Sequence, residues 1–362
     1  MAKKAYIGVD GTARKIKKGY IGIDDIAHRI KKAYVGIGGV ARPCWPTGEL
    51  TYYGVIDPLT RHATYSAAEV ADYAIFKGAV MTSAAAAAYG KSLTKLDLGS
   101  ETLAAEWHAG MRAGEYALLV PNVTTVTAYD NALTKSTVSR RSSNRYPNAT
   151  ELGSYGFVNG ENGVVDVFDA SLTRHFADNL TGGDMTLMGC ANNGVYAIFA
   201  AGYSYSPSGL KQNVQAYDMS LTRIDAPSLA EKNNALGAAR AGNHCVVAGG
   251  RPGTGNGNEY SKAYAYDASL TQTVISSLSI AKQTYNGAGD FDEFAIFAGG
   301  YKNSDAVATV DVYDSALTHT VATPLSAART EVGMATVGDY CLAGGGYDKN
   351  SEKNIVDVYT LM

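Results

Sequence analysis

Histidine, cysteine and carboxylate side chains are the groups with which a chain most often holds metals or moves protons, and here their spacing supports neither use. The six histidines (His28, His62, His108, His175, His244, His319) show no metal-ligand spacing, although His175 and His319 fall in matching positions of two repeats. No CxxC or cysteine–histidine pattern suggests zinc. Cys245 (HCVVAGG) and Cys341 (YCLAGGG) occupy one position of two repeated strands; with Cys44 and Cys190 they read as small buried hydrophobes rather than disulfide partners. Gly253, Gly255 and Gly257 lie in a loop lacking the helix that a phosphate cradle requires. Glu161, Asp292 and Glu293 could serve a carbohydrate-active enzyme only if the fold brought them together on one axis. No catalytic residue, metal or cofactor is therefore expected, and the chain does not read as an enzyme.

The elements that would position any site are repeats. An aromatic–Asp pair followed by a Leu-Thr turn recurs as AYDNALT from Ala128, VFDASLT from Val167, AYDMSLT from Ala216, AYDASLT from Ala265 and VYDSALT from Val312. A degenerate AYGKSLT starts at Ala88, and VDVYTLM runs to Met362. Between Gly90, Asp130, Asp169, Asp218, Asp267, Asp314 and Thr360 the steps are 40, 39, 49, 49, 47 and 46 residues, the period of propeller blades. Each copy reads as four antiparallel strands. In the fifth, these begin near Lys232 (KNNALGAARAG), His244 (HCVVAGG), Lys262 (KAYAYD) and Leu270 (LTQTVIS), with a polar loop at 251–261. Seven second strands can be counted, starting from ADYAIFKG at Ala71, and the alanine run at 83–88 aligns with a third strand rather than a helix. The seventh copy lacks its fourth strand. VIDPLTRHATY from Val55 carries the Leu-Thr-Arg of that strand, so an N-terminal strand is expected to close the ring and remove its free edges.

The aspartate should accept backbone amides two residues on, and the aromatic before it should pack between blades. Paired glycines closing strand two (Gly249-Gly250, Gly299-Gly300, Gly344-Gly345) allow close backbone approach. The loop after them varies freely and is rich in Tyr, Asn, Ser and Gly, a composition suited to adaptable polar recognition with tyrosines as rigid platforms. Tyr203, Tyr205, Arg251, Asn258, Tyr301, Asn303, Tyr347 and Lys349 are the candidate ligand-binding residues of that face; the alternative is that these are tolerant surface loops. Lys232, Lys282 and Arg329 precede strand two at matching offsets. They could ring the channel mouth as cations for an anionic polymer, or pair with carboxylates of neighbouring blades.

Residues 1–46 form a separate array with a period of 14, AYIGVDGTARKIKK, GYIGIDDIAHRIKK and AYVGIGGVARPCWP, each unit reading as strand, turn, strand. It carries ten Lys+Arg and three Asp+Glu, a net of +7, whereas the remaining 316 residues carry 21 against 31, a net of −10. Such a short meander needs a partner for its apolar face, and self-association into a homo-oligomer is expected. Its lysines read as a solvated face that keeps strand edges from pairing, in preference to nucleic-acid binding. No run spans a bilayer, and MAKKAYIGVD leads directly into charged sequence, so synthesis in a cytoplasm is expected.

Residues 47–362 resemble the kelch repeat, an apolar strand ending in Gly-Gly with an aromatic–Asp turn downstream, although the usual tryptophan of strand four is missing. The resemblance implies an all-β, seven-bladed kelch-like propeller. Kelch-type copper oxidases need a tyrosine, cysteine and histidine constellation, and these cysteines lie in framework strands. Residues 1–46 resemble segments that introduce structural proteins of tailed phages and prophages. Together the resemblances imply a virion or tail-tip component, anchored to other tail proteins through residues 1–46. Its propeller would bind host-surface carbohydrate or protein. A purely structural contact within the virion is the alternative, and a carbohydrate-active enzyme a second one.

Overall fold

The turn ending each third strand is set locally. Asp130, Asp169, Asp218, Asp267 and Asp314 each accept on Oδ1 the amides two and four residues on, at 2.7–3.4 Å. The intervening leucine lies at φ between 59° and 65°, and its own amide donates to the aspartate carbonyl. That backbone conformation costs an L-residue on the order of 1 kcal/mol, which the two carboxylate bonds offset.

The aromatic at this end of strand three is buried, and in five blades it is a tyrosine whose hydroxyl reaches back to the connection entering its own blade. Tyr89 donates to Asp57 O (2.8 Å), Tyr217 to Asp178 O (2.8 Å), Tyr266 to Pro227 O (2.8 Å), Tyr313 to Ser276 O (2.7 Å) and Tyr359 to Thr323 O (3.0 Å). The rings also bridge blades: Tyr217 meets Phe157 of the preceding blade at 6.0 Å and Phe199 of its own at 5.9 Å. One side chain thus fixes strand, linker and neighbouring blade together.

A computed structural model describes residues 6–9, 12–15, 20–23, 26–29, 34–37, 40–43, 49–59, 64–80, 83–101, 108–253, 257–285 and 287–361. The chain forms two compact units, residues 1–51 with 360–362, and residues 52–359. In the first, Tyr6–Val9 pairs with Thr12–Lys15, Tyr20–Ile23 with Ile26–Arg29, and Tyr34–Ile37 with Val40–Pro43, all antiparallel. Each 14-residue unit is therefore a hairpin. Among the described residues they are three separate two-stranded sheets, not the continuous meander expected. Cys44 and the boundary at 44–48 lie outside the described residues.

The rest is an all-β, seven-bladed propeller. Blades one to six span residues 64–101, 108–139, 149–176, 185–226, 237–275 and 288–322, each an antiparallel sheet in chain order. The alanine run forms strand three of blade one (Ser83–Gly90). Blade four has a broken first strand, Met185–Thr186 and Gly189–Asn192. Blade seven takes Gly333–Val337, Tyr340–Gly344 and Val356–Leu361 from the C-terminal end and Leu50–Ile56 from the N-terminal side. The ring closes as expected, but the closing strand lies upstream of the cue. Leu50-Thr51, rather than Leu59-Thr60, opens strand four.

Two further registers shift by one residue. The close-approach glycines of blade seven are Gly345 and Gly346 (φ 65° and 105°), while Gly344 ends the strand. At the equivalent Gly250, a Cβ would lie 2.1 Å from Asn233 Oδ1. His175 and His319 are not equivalent. His319 opposes Tyr313 and bonds Asp311 (2.9 Å), whereas His175 opposes Val167 and bonds the turn aspartate Asp169 (2.8 Å), because a one-residue offset turns a strand side chain to the other face.

Candidate functional site

The propeller has two unlike faces. On one, the turn after each first strand touches the Asp-Leu-Thr turn of the next blade: Gly153 packs on Met219, Gly242 on Ser315 and Gly338 on Lys91, and Asn193 Nδ2 donates to Asp267 O (2.7 Å). On the other lie the linkers between blades and the variable loops after strand two.

The variable loops are extended hairpins more than open loops. Blade four prolongs strands two and three to Tyr205 and Ser208, where Tyr203 and Tyr205 meet edge to face at 5.1 Å and the Tyr203 hydroxyl shares a hydrogen bond with Ser208 (2.8 Å). Blades six and seven add the small hairpins Tyr301–Lys302 with Asp305–Ala306 and Tyr347–Asp348 with Ser351–Glu352. Lys349 pairs with Asp305 across these two tips (2.5 Å), and Tyr347 donates to Lys349 O (3.1 Å). Glu259 accepts the Asn303 amide (3.3 Å) and Gln283 Nε2 (3.1 Å), tying the loop of blade five to blade six beside exposed Asn258. Arg251 donates to Asn234 Oδ1 (3.1 Å).

These candidates therefore form two groups. Arg251, Asn258, Tyr301, Asn303, Tyr347 and Lys349 belong to blades five to seven, whose loops are tied through Glu259 and the Lys349–Asp305 pair, and Tyr203 with Tyr205 stands on blade four.

Residues that the repeat comparison passed over complete this face. Arg145 lies over the Tyr146 ring (5.4 Å), and burial, followed by the Tyr146 phenol, pushes the Tyr205 hydroxyl upward. Tyr285 lines the axial cavity and donates to Gln283 Oε1 (2.7 Å); burial raises its pKa to about 12. Arg251, Glu331, Tyr301 and Tyr146 all act electrostatically on Tyr285. Burial alone raises Glu331 to about 8. Tyr146, Tyr285 and Glu331 sit in the linkers between blades. Their only sequence cue is aromatic or acidic character just ahead of a first strand.

Lys282 and Arg329 are not a cationic rim. Both are fully buried: Lys282 Nζ lies 2.9 Å from Asp311 Oδ2, and Arg329 Nη2 lies 2.5 Å from Asp357 Oδ2. Each pairs with strand three of its own blade rather than a neighbour's. Lys282 also donates to Phe297 O (3.1 Å) and Arg329 to Ala343 O (3.0 Å), so each cation plugs the gap beneath a linker. Burial works to lower the Lys282 pKa, and the ammonium in turn holds Asp311 below the usual carboxylate range. The residue matching them in blade five is Asn233, since Gly202, Gly250 and Gly300 donate their amides to the carbonyls of Asn233, Lys282 and Arg329. Lys232 is one residue early and exposed.

The axial cavity, of about 180 Å³, is walled by the seven first strands. Strand registers place one polar residue from every blade at the same level, each opposite the second-strand position that follows its aromatic or His244. Blades seven and one contribute Thr336 and Glu69, with the Thr336 amide donating to Glu69 Oε2 (3.1 Å). Blades two and three contribute Arg112 and Glu151, joined by the Arg112 amide (2.9 Å) and guanidinium (3.7 Å). Blades four and five contribute Asn192 and Arg240 (3.4 Å). Blade six contributes Asp290. This ring lies at the end of each first strand, hence toward the Asp-Leu-Thr face. Confinement by protein, then the Glu69 charge, raises Glu151 to about 7 and Asp290 to about 6.

Glu161 lies in the strand-two to strand-three connection of blade three, and Asp292 and Glu293 in the opposite turn of blade six, so these three carboxylates do not converge. Among the described residues, no group of three or more His, Cys, Asp or Glu is placed to hold a metal. Cys190, Cys245 and Cys341 are free thiols, the last two buried. The sequence matches no protein-family model and no curated protein.

Proposed function

We propose that this is a phage or prophage tail structural protein whose kelch-like propeller recognises a polar ligand on the host surface, with carbohydrate as the leading class. The observation that carries the reading is the contrast between faces. Turns repeat nearly unchanged on one, while the other gathers hairpins of unlike length bearing Tyr203, Tyr205, Tyr301, Tyr347, Asn258 and Asn303 around a mouth that holds Tyr285 and Arg251. Aromatic platforms beside amide and guanidinium donors suit the apolar faces and hydroxyl edges of sugars. In this reading the basic hairpin array of residues 1–46 anchors the protein to other tail components and assembles it with copies of itself.

The test is adsorption. Labelled full-length protein should bind host cells and be displaced by isolated wall polysaccharide, and Y203A/Y205A should weaken binding at least tenfold without lowering thermal stability. If wild type and variant bind alike, or neither binds, recognition through this face is wrong. A face that is shielded from labelling in assembled particles would instead favour a contact within the virion.

A further inference from the structure

The seven-membered axial ring has an arithmetic consequence. Partners are made between adjacent blades, so six members pair and one is left over. The pairs are Thr336 with Glu69, Arg112 with Glu151 and Asn192 with Arg240. The remaining member is Asp290. Among the described residues its carboxylate accepts no hydrogen bond from another residue and joins no ion pair, and it is exposed to the cavity. Arg240, the nearest cation along the ring, is occupied by Gly242 O (2.6 Å) as well as Asn192. With Arg112 on Glu151 and Arg240 on Asn192 and Gly242 O, the ring has no guanidinium left for Asp290.

Above the ring, the next side chains pointing the same way lie two residues earlier in each first strand. They are Ala67, Gly110, Ala149, Ala238 and Ala288, with Cys190 and Met334 in blades four and seven. A collar of small apolar groups therefore stands directly on a polar ring. Among the described residues no three His, Cys, Asp or Glu are placed to hold a metal, and the apolar collar beside a lone carboxylate suits an organic cation carrying a short hydrocarbon tail. We propose that the axial cavity is a binding site for an alkylammonium group, its nitrogen on Asp290 and its methylenes against the alanine collar. The polar ring lies at the Asp-Leu-Thr end of the first strands, and the proposal does not depend on what the variable hairpins bind.

The charges facing Asp290 are Glu69 from blade one, Arg112 from blade two, Glu151 from blade three and Arg240 from blade five. Confinement by protein raises its pKa most, Glu69 adds to the rise and the arginines oppose it, with a net rise to about 6. An ammonium there relieves the repulsion between Asp290 and Glu69. Binding should be strong above about pH 7 and fade as Asp290 takes up its proton below about 6.

The experiment is calorimetric titration of the full chain with n-butylammonium, 1,5-diaminopentane and Nα-acetyl-lysine amide, with n-butanol as neutral control. Saturable binding of the ammonium compounds and not of butanol is expected, with D290N at least tenfold weaker, D290E retaining affinity, and melting temperatures unchanged. A stronger response to the diamine would point to a free polyamine, and to the lysine derivative, to a side chain inserted by a partner protein. Equal binding to D290N, equal binding of butanol, or no saturable binding by any ammonium compound overturns the proposal.

Discussion

Replacing Arg329 by methionine leaves the chain's packing volume nearly intact and strips the charge from a fully buried pair. Asp357 then keeps the Tyr52 hydroxyl (2.8 Å) and the Ser326 amide (3.2 Å) as donors, and it loses the guanidinium at 2.5 Å. Breaking one partner of a buried ion pair generally costs about 3–5 kcal/mol. Because two donors remain, the lower end applies, about 3 kcal/mol. The double variant R329M/D357N removes the stranded charge and should recover more than half of the loss, a coupling that separate sites would not show. The exposed pair Lys349–Asp305 supplies the control, since K349A should leave the urea midpoint unchanged. Urea unfolding followed by tryptophan fluorescence and circular dichroism measures all three. If R329M costs less than about 1 kcal/mol, or the double variant is as unstable as the summed singles, the plug account of these cations is wrong.

Other perturbations report on other parts of the argument. G250A should destabilise by about 2 kcal/mol or more, since φ is 94° and the new methyl would meet Asn233; an unchanged urea midpoint refutes the close approach. Glu151, raised from 4.5 to about 7, keeps its proton in the folded chain after the unfolded chain has released it, so stability should fall as pH rises through that window, by up to about 3 kcal/mol. E151Q should flatten this slope between about pH 5 and 8, and equal slopes for the two proteins would discount the shift. Y52F should cost about 1 kcal/mol through its lost bond to Asp357, measurable by thermal unfolding; no effect would mean that Tyr52 does not bond Asp357 in solution.

What could be read from the sequence divides by the range of the interactions. Asp-Leu-Thr turns, second strands and blade count depend on neighbours within about five residues, and the copies display them openly. The fates of Lys282 and Arg329 depend on aspartates 29 and 28 residues further on, inside strands that otherwise look apolar. The charge in VDVY at Asp311 and Asp357 was the available hint, because a carboxylate in a buried strand demands a cation. The axial ring was hidden for another reason. Its members share no residue type, and only their strand register relates Glu69 to Thr336 or Asp290 to Arg240. Comparing copies for sameness finds scaffold, and comparing them for difference in loops finds the outer face. A ring in which each blade contributes a different polar group escapes both.

The strand at Leu50–Ile56 also dictates the order in which this protein can exist. Its hydrogen-bonding partner, Val356–Leu361, leaves the ribosome some 300 residues later. Until then the early strand lacks that partner, and their pairing is the most distant in sequence of the propeller's strand contacts, the kind that loop-closure entropy makes slow. A prematurely terminated chain has no such meeting, so it carries two open strand edges that chaperones and proteases can recognise. The ring therefore closes only in a chain translated through its seventh blade.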